Sequence, residues 1–536
     1  MNKIPFFIQK IKKIIKNPFS LSILTGITLF LCFPKFHLYF LIWIAFVPLF
    51  VIVIPEQSLS KVSLYFFISG WVFHSLTLNW LITNMFWVGG PAFIGYQCLS
   101  AGLSILWAIY GYGFSKYGKN ISVISKVYTS GLLWVGMEWV QGHALTGFGW
   151  CNLGYSQGPD IYFSQWVAIG SVPLLSFFIL TVNMLISFTI LSKQGRWKYL
   201  FHAVAILFLV HFLGSYLLAN TKNQKEYDIH VAIVQPCFPQ EMKFDPIWYE
   251  DMVRWTIQYT NSLIENKNVQ VIFWPEALIM SDYKDKEILT LIQNFTREKS
   301  LHLITGTTRM DSEGNDYNSC IWVNTEGEVV NFYDKVHLAP FGEYLPLSQF
   351  LPFLRSILPY DVTAGKEQKV FTINEQLTVG PLICFEVLFS NMAYNLRKQG
   401  ANLIAVLTNL SWFGATNALS QELEICRMRA IETRLPIIHC TNTGISGLFT
   451  PSGSFFPANT IIGKNKTLVY EPMSDYPEIG IRLRSGGIYK VPQPSKYMLP
   501  FNPDLISLFL SLSGLIIYIL LLLKKRRISN ENGTNG

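Results

Sequence analysis

The stretch Thr378-Val-Gly-Pro-Leu-Ile-Cys-Phe-Glu-Val387 sets the expected architecture of the chain. Its apolar run predicts a buried strand that ends at Cys384, and residues 388–398 can continue as a helix. A cysteine at such a corner lies near unpaired backbone N–H groups, which can stabilise a thiolate and later an oxyanion. Cys384 is therefore a candidate nucleophile. The alternative is an inert buried residue, because free cysteines are often buried.

The composition indicates a membrane protein. Of the 536 residues 50% are hydrophobic and only 14% are charged, and the mean hydropathy is +0.31. Apolar runs long enough to cross about 30 Å of hydrocarbon lie at 18–34, 36–54, 62–84, 86–115, 127–145, 161–192, 199–220 and 505–523. The sequence therefore predicts a multi-pass α-helical membrane domain with about eight transmembrane helices, seven before a long polar region and one after it.

Basic residues predict the topology of these helices. Five lysines lie within residues 3–16 and four basic residues within 524–527, and such clusters stay on the cytoplasmic side. Both termini are expected in the cytoplasm. The predicted domains are an N-terminal transmembrane domain (1–220), an extracytoplasmic domain (221–500), and a C-terminal helix with a basic tail (501–536). The net charge of +8 is explained by these flanks and requires no nucleic-acid partner.

The positions of the cysteines and carboxylates limit which kinds of function the chain can have. The outer region holds five cysteines, an odd number that leaves at least one unpaired within the chain. The absence of CxxC or Cys/His spacing predicts no metal, and no cofactor is expected. Glu138 is a carboxylate at bilayer depth, either functional or interfacial at a helix end. The sequence has no run of intramembrane charges, which argues against a pump or channel.

From Tyr227 onward, short apolar strands alternate with helical stretches. The predicted strands are 229–235, 269–274, 303–306, 319–324, 377–383 and 403–408, with a helix at 247–266. This pattern predicts a mixed α/β domain of about 270 residues, large enough for its own core.

Several of these strands end at a residue that can do chemistry. Glu276 follows strand 269–274, Lys335 and Glu343 lie in the segment 331–346, and Cys384 ends the next strand. Each charged residue alone could be a solvated surface group at a strand end or turn. Together they form a constellation of carboxylate, amine and thiol.

The motifs Trp274-Pro-Glu276, Lys335-Val-His-Leu-Ala-Pro-Phe-Gly-Glu-Tyr344 and Cys384-Phe-Glu386 resemble those of the nitrilase, or carbon–nitrogen hydrolase, superfamily. With the predicted helices, the run 145–150 and Trp412-Phe-Gly414, the whole chain resembles its membrane-bound branch, the apolipoprotein N-acyltransferases. The resemblance implies a nitrilase-like αββα sandwich. It also implies that Glu276 is the general base, Lys335 an electrostatic stabiliser, Cys384 the nucleophile and Glu343 a second carboxylate that orients Lys335 or the substrate.

The resemblance also implies substrate contacts and three departures from the family pattern. The expected contacts are Phe244, Tyr344, Phe385, Glu386 and Trp412. Phe244 replaces a typical tryptophan, Leu410 a common aspartate, and the segment around Glu422 lacks a histidine often found there. None of the three departures affects the triad. We therefore expect altered substrate contacts and intact chemistry.

The chemistry implied by the resemblance is acyl transfer in two half-reactions. A thiol with a pKa of about 8.5 needs a nearby base to attack an ester at neutral pH, and Glu276 is placed for this. Cys384 would take a fatty acyl group from a membrane phospholipid and pass it to the α-amino group of an apolipoprotein's diacylglyceryl-cysteine. The expected partners are the phospholipid donor, the diacylated apolipoprotein and the bilayer. The expected state is a monomer in the bacterial inner membrane, with the catalytic domain on the periplasmic face.

Residues 345–360 carry apolar side chains at helical spacing with one basic residue, Arg355. They predict either an arm on the bilayer that admits acyl chains or an amphipathic helix that covers the domain core. Two other functions stay open for the whole chain. One is a membrane-tethered amidase or nitrilase with a small substrate, and the other is a non-enzymatic sensor or binding protein.

Overall fold

The computed structural model describes residues 17–84, 89–117, 121–222, 225–344, 362–458, 460–461, 484–495 and 502–533. The chain forms two compact units. One comprises Met1–Leu218 with Leu499–Gly536, and the other comprises Ala219–Met498.

The first unit is built from apolar helices. They are α1 (Pro18–Cys32), α2 (Val47–Val53), α3 (Leu59–Thr77), α4 (Gly90–Tyr117), α5 (Val123–His143), α6 (Val167–Leu191), α7 (Arg196–Lys222) and α13 (Pro503–Gly533). Within the described residues, four segments are long and apolar enough to cross a membrane: Ala92–Lys116, Phe163–Leu191, Arg196–Thr221 and Pro503–Leu520. The multi-helix membrane part of the predicted fold class is confirmed.

The second predicted apolar run, 36–54, does not form one continuous helix. It is divided between a 3₁₀ turn at Tyr39–Trp43 and α2, which starts with Pro48 in its first turn. The break is stabilised by Asn183 of α6. Its amide nitrogen donates to the Ile42 carbonyl (2.8 Å) and its amide oxygen accepts from the Phe46 N–H (2.9 Å). A broken apolar segment is tolerated because these backbone groups are satisfied by protein.

Glu138 near the end of α5 is buried among protein groups. Its carboxylate accepts hydrogen bonds from the Trp134 indole N–H (3.0 Å) and from the Leu153 backbone N–H (2.9 Å). These contacts tie α5 to the following loop, so Glu138 has a structural environment within its own unit.

The second unit contains five helices and fourteen strands among the described residues. The helices are α8 (Gln240–Phe244), α9 (Tyr249–Ile264), α10 (Lys286–Lys299), α11 (Ser390–Lys398) and α12 (Asn417–Thr433). The strands are β1 (Glu226–Gln235), β2 (Val271–Phe273), β3 (Ile279–Asp282), β4 (His302–Met310), β5 (Asp316–Val323), β6 (Val329–Asp334), β7 (Phe371–Thr372), β8 (Thr378–Ile383), β9 (Leu403–Thr408), β10 (Ile437–Thr441), β11 (Gly447–Phe449), β12 (Phe455–Pro457), β13 (Thr460–Ile461) and β14 (Ser485–Pro492).

The strands form two sheets. One has the order β13-β14-β1-β2-β4-β5-β6, with β3 paired to β4, and the other has the order β12-β11-β10-β9-β8-β7. The pairs β1–β2 and β2–β4 are parallel, as are β8–β9 and β9–β10. Parallel neighbours place the ends of successive strands at the same sheet edge, where ligand sites of α/β proteins commonly lie.

Successive side chains of a strand point to opposite faces of the sheet, so each sheet of this unit packs against a different layer on each face. Val231 and Ile233 of β1 share a buried core with Val379 and Ile383 of β8, so the two sheets pack face to face. The opposite face of the first sheet packs on α9 and α10. The helices α11 and α12 contact β8 and β10 of the second sheet. The predicted αββα sandwich is therefore confirmed.

Candidate active site

Cys384 lies at a sharp corner between a strand and a helix. It follows β8 directly and begins a 3₁₀ turn, Cys384–Leu388, that leads into α11. Its φ angle of 49° lies in the left-handed region, which a side-chain-bearing residue adopts only when the surroundings enforce it. The residue is half-buried and belongs to no disulfide. The expected strand-to-helix corner is present.

The corner is held by Glu386, whose side chain is completely buried. Its carboxylate accepts four hydrogen bonds: from the Tyr333 hydroxyl (2.6 Å) and from the backbone N–H groups of Val336 (2.8 Å), His337 (3.1 Å) and Ile383 (2.7 Å). These bonds join the segment after β6 to the residues around Cys384. Glu386 thus positions the turn at Cys384, and its predicted role as a substrate contact stays a prediction.

Glu276 is delivered by the chain segment that follows β2. Its side chain is 9% exposed, and the segment packs closely on Gly306 of β4. A Cβ atom at Gly306 would lie 2.5 Å from the Glu276 Cα and 2.5 Å from the Ala277 nitrogen. Only glycine allows this approach, so Gly306 fixes the depth at which Glu276 enters the site.

Lys335 directly follows β6 and lies between two carboxylates. Its Nζ is 3.6 Å from Glu276 Oε1 and 2.8 Å from Glu343 Oε2, and its side chain is 1% exposed. Asn318 of β5 bridges the same two acids, since its Nδ2 donates to Glu276 Oε1 (2.8 Å) and to Glu343 Oε1 (2.7 Å). The Ala339 N–H donates to Glu343 Oε2 (2.7 Å). The cluster positions one amine against two hydrogen-bonded carboxylates.

The charges of this cluster act on Cys384. Burial raises the pKa of the Cys384 thiol well above its usual value, and the Glu276 carboxylate adds to this, whereas Lys335 opposes it. Burial alone would lower the pKa of Lys335, but Glu343, Glu276 and Cys384 together raise it above its usual value. The site therefore rests as a neutral thiol beside a permanent cation. A thiol in that state requires a base before it can attack.

The predicted aromatic contacts lie in the same unit. Phe244 at the end of α8 is 42% exposed, and its ring makes an edge contact with Trp412, with centroids 5.4 Å apart. Phe385 follows Cys384 and packs on the Phe389 ring (5.3 Å). Tyr344 is half-buried next to Glu343. Their roles in binding substrate stay predictions, and the segment 345–360 lies outside the described residues.

Three further residues belong to the site and were not predicted as site residues from the sequence. Asn318 bridges Glu276 and Glu343. Lys243 is buried, and its Nζ lies 3.3 Å from the Glu276 carbonyl oxygen; burial lowers its pKa to about 8. Glu422 interacts electrostatically with Cys384. A polar residue within an otherwise buried strand or helix was the available signal, but it does not indicate which partner the side chain meets.

Among the described residues, no group of three or more histidine, cysteine, aspartate or glutamate side chains is arranged to hold a metal ion. The carboxylate of Glu343 accepts hydrogen bonds from the amine of Lys335 and the amide of Asn318, and the carboxylate of Glu276 accepts one from the amide of Asn318.

Two family descriptions match successive parts of the chain. Residues 25–185 match the apolipoprotein N-acyltransferase N-terminal domain. Residues 230–470 match the carbon-nitrogen hydrolase family. The second match contains every residue of the polar cluster, and the first falls within the helical unit.

Curated relatives match most of the chain. A Geobacter metallireducens protein named apolipoprotein N-acyltransferase is 26% identical over 452 residues, covering 82% of this chain and 86% of its own length. Proteins of the same name from Haemophilus ducreyi (28% over 384 residues; 69% and 74% covered) and Rickettsia prowazekii (27% over 394 residues; 72% and 77% covered) are similar as well.

Solved structures match about half of the chain. A member of branch 10 of the nitrilase superfamily from Saccharomyces cerevisiae has a TM-score of 0.37 and 14% identity, covering 52% of this chain and 92% of that one. An amidase from Nesterenkonia sp. has a TM-score of 0.37 and 17% identity, covering 53% and 97%.

Proposed function

We propose, for a chain that belongs to the apolipoprotein N-acyltransferase family, that it transfers a fatty acyl group from a membrane phospholipid to the α-amino group of a diacylated apolipoprotein. The transfer passes through a thioester on Cys384. The product is a triacylated lipoprotein.

One observation supports this proposal most strongly. Lys335 lies between Glu276 and Glu343, and the cluster acts electrostatically on a thiol at a strained strand-to-helix corner. A base, a cation and a nucleophile in one place are the requirements of acyl transfer through a covalent intermediate.

The first half-reaction begins with proton transfer from Cys384 to Glu276. The thiolate attacks the ester carbonyl of the phospholipid, and Lys335 stabilises the negative charge that develops on the carbonyl oxygen. When the C–O bond breaks, Glu276 returns the proton to the departing alkoxide. The products are a Cys384 thioester and a lysophospholipid. The proton transfer does not change the net charge of the cluster, because the Cys384 thiolate replaces the Glu276 carboxylate as the anion.

In the second half-reaction, the α-amino group of the apolipoprotein attacks the thioester. Glu276 takes the amine proton, the C–S bond breaks, and the proton passes to the Cys384 sulfur. An amide is formed and the free thiol is restored. Alternation of two half-reactions on one nucleophile predicts ping-pong kinetics.

The apolar helices agree with a membrane setting, and the finer location is part of the proposal. We place both termini in the cytoplasm and residues 221–500 on the periplasmic face of a bacterial inner membrane, because the basic clusters at the two ends of the sequence favour this orientation. We also propose a monomer and the domain division at residues 220 and 500.

An assay with the purified full chain tests the proposal against both alternatives. The protein is incubated with phospholipid and a diacylated lipopeptide, and then separately with small amides and nitriles. Acyl transfer to the lipopeptide supports the proposal. Ammonia release without acyl transfer would indicate an amidase or nitrilase, and tight binding without turnover would indicate a binding protein.

A further inference from the structure

A second acid lies beside the nucleophile and has no part in the mechanism above. Glu422 belongs to α12, which packs against the turn that begins at Cys384. Its side chain is 2% exposed. Within the described residues, neither carboxyl oxygen has a hydrogen-bond partner of ordinary geometry, although the Thr408 hydroxyl lies close enough to lower the pKa of Glu422. Burial without hydrogen bonds strongly disfavours the ionised form of a carboxyl group.

The groups around Glu422 come from several elements. From β9, the Thr408 hydroxyl interacts with both the Cys384 thiol and the Glu422 carboxyl. The other titratable or charged groups that act on it are His439 of β10, Cys426 of α12 itself, and Cys384, Glu276 and Lys335 of the site. Glu422 is therefore coupled to the same charges that set the reactivity of the nucleophile.

His439 does not supply a positive charge to balance Glu422. Its Nε2 is 4.0 Å from Glu422 Oε1, and its Nδ1 lies 2.8 Å from the Ile445 carbonyl oxygen. The contact with Ile445 assigns the proton of a neutral ring to Nδ1. Complete burial lowers the pKa of His439 to about 4. The ring that faces Glu422 is therefore neutral at physiological pH.

The charge state of Glu422 follows from this environment. Burial raises its pKa to about 8; the negative charge of Glu276 also raises it, whereas Thr408 and Lys335 lower it. Glu422 is thus a neutral acid at pH 7 and begins to ionise just above that pH. Its ionisation releases a proton to solvent and leaves a second carboxylate close to the Cys384 thiol.

We propose that Glu422 is a positioning residue that is neutral in the working enzyme. When Glu422 ionises at alkaline pH, its negative charge keeps the Cys384 thiol protonated and slows acylation. The inference rests on the proposed function, because it assigns Glu422 to the first half-reaction. As an acid, Glu422 leaves the field of Lys335 at the thiol undiminished. As a carboxylate, it adds its repulsion to that of Glu276 and disfavours the thiolate.

The test is the pH dependence of Cys384 alkylation by iodoacetamide in the purified full chain, read by peptide mass spectrometry. This reaction reports thiolate formation and requires neither lipid substrate. Wild type and Glu422→Gln should react at the same rate below pH 7, where both side chains are neutral. At pH 9, Glu422→Gln should react about three- to tenfold faster, since only the wild type acquires the extra charge. The acyl-transfer rates should diverge over the same range.

Matched variants keep the test specific. Glu424→Gln removes a neighbouring acid of α12 that is paired with Arg427 (2.8 Å), and it should retain the wild-type pH profile. Burial lowers the pKa of Lys243 to about 8, but the contribution of Lys243 is the same in wild type and Glu422→Gln and cancels in the ratio of their rates. Glu422→Met, also neutral, should reproduce the effect of the glutamine if Glu422→Gln fails to fold.

Two results would overturn the inference, and a third would separate it from the proposed function. A ratio of alkylation rates that stays constant from pH 6 to pH 9 would show that Glu422 does not act on the thiol through its charge. Loss of folding in both neutral variants would show that the carboxyl is required for structure. If the alkylation rates diverge as expected but no phospholipid is turned over, the role of Glu422 at the thiol stands and the proposed function fails.

Discussion

Two buried carboxyl groups close to Cys384 have opposite surroundings. Glu386, in the turn that begins at Cys384, accepts four hydrogen bonds, three of them from backbone N–H groups. Glu422, on the helix that packs against this turn, accepts none of ordinary geometry from the described residues. Both side chains are almost fully inaccessible to solvent. Burial alone therefore does not determine what a carboxyl group does near a nucleophile.

The difference lies in the number of donors. Four donors can hold a carboxylate in place and join two chain segments, so Glu386 serves as a structural bracket. An acid without donors stays protonated and removes negative charge from the region around the thiol. The same residue type thus provides rigidity in one place and charge control in the other.

The largest effect is expected from replacing Lys335, the cation that acts electrostatically on both Glu386 and Glu422. Lys335→Met removes the positive charge between Glu276 and Glu343, and we expect acyl transfer to fall by about 10³-fold because the developing oxyanion loses its stabilising charge. The rate of lipopeptide acylation measures this. Lys335→Arg retains the charge and serves as the control, with partial activity expected. A tenfold loss or less in Lys335→Met would contradict an electrostatic role.

Glu386 and Glu422 should differ in how much their carboxyl groups contribute to the stability of the folded protein. Glu386→Gln places amide hydrogens against backbone donors, and we expect a loss of about 2–4 kcal/mol because buried donors remain unsatisfied. Glu422→Gln should change stability at pH 7 by no more than about 1 kcal/mol, since a neutral side chain replaces a neutral acid. Unfolding in detergent measures both. Equal losses in the two variants would remove the distinction between bracket and neutral acid.

The smallest effect is expected from a single donor of the bracket. Tyr333→Phe deletes one of the four hydrogen bonds to Glu386, which should cost about 1 kcal/mol and reduce acyl transfer by less than about tenfold. Tyr317→Phe is the control, because its hydroxyl donates to Asp311 (3.0 Å) and does not contact the bracket. Abolished activity in Tyr333→Phe would mean that Tyr333 acts directly in the reaction.

Much of the fold could be predicted from the sequence, since its signals are local. The strand 403–408 agrees with the observed β9 (Leu403–Thr408), and the apolar run before Cys384 forms β8. The apolar run 36–54 is broken into a 3₁₀ turn and a short helix for a long-range reason. The backbone break there is satisfied by Asn183, a residue about 140 positions away that hydropathy cannot connect to it.

The site was predictable only where a residue lies at a strand end within a motif. Glu276, Lys335 and Cys384 were placed in this way, and the structure brings them together. Asn318 and Glu422 do not lie at a strand end within a motif. They could not be predicted from the sequence, because their roles depend on contacts between distant elements. α12 buries Gln421, Glu422 and Glu424 together, and no periodicity distinguishes an acid that faces a nucleophile from one that faces an arginine.

The most direct test of the account is the mass of the Cys384 peptide after incubation of the full chain with phospholipid and no acceptor. We predict an added fatty acyl mass on Cys384 that hydroxylamine removes and that disappears when the diacylated lipopeptide is supplied. The Cys384→Ala variant should carry no acyl group. An unmodified Cys384 peptide during active transfer, or a thioester that persists in Cys384→Ala, would contradict the central claim.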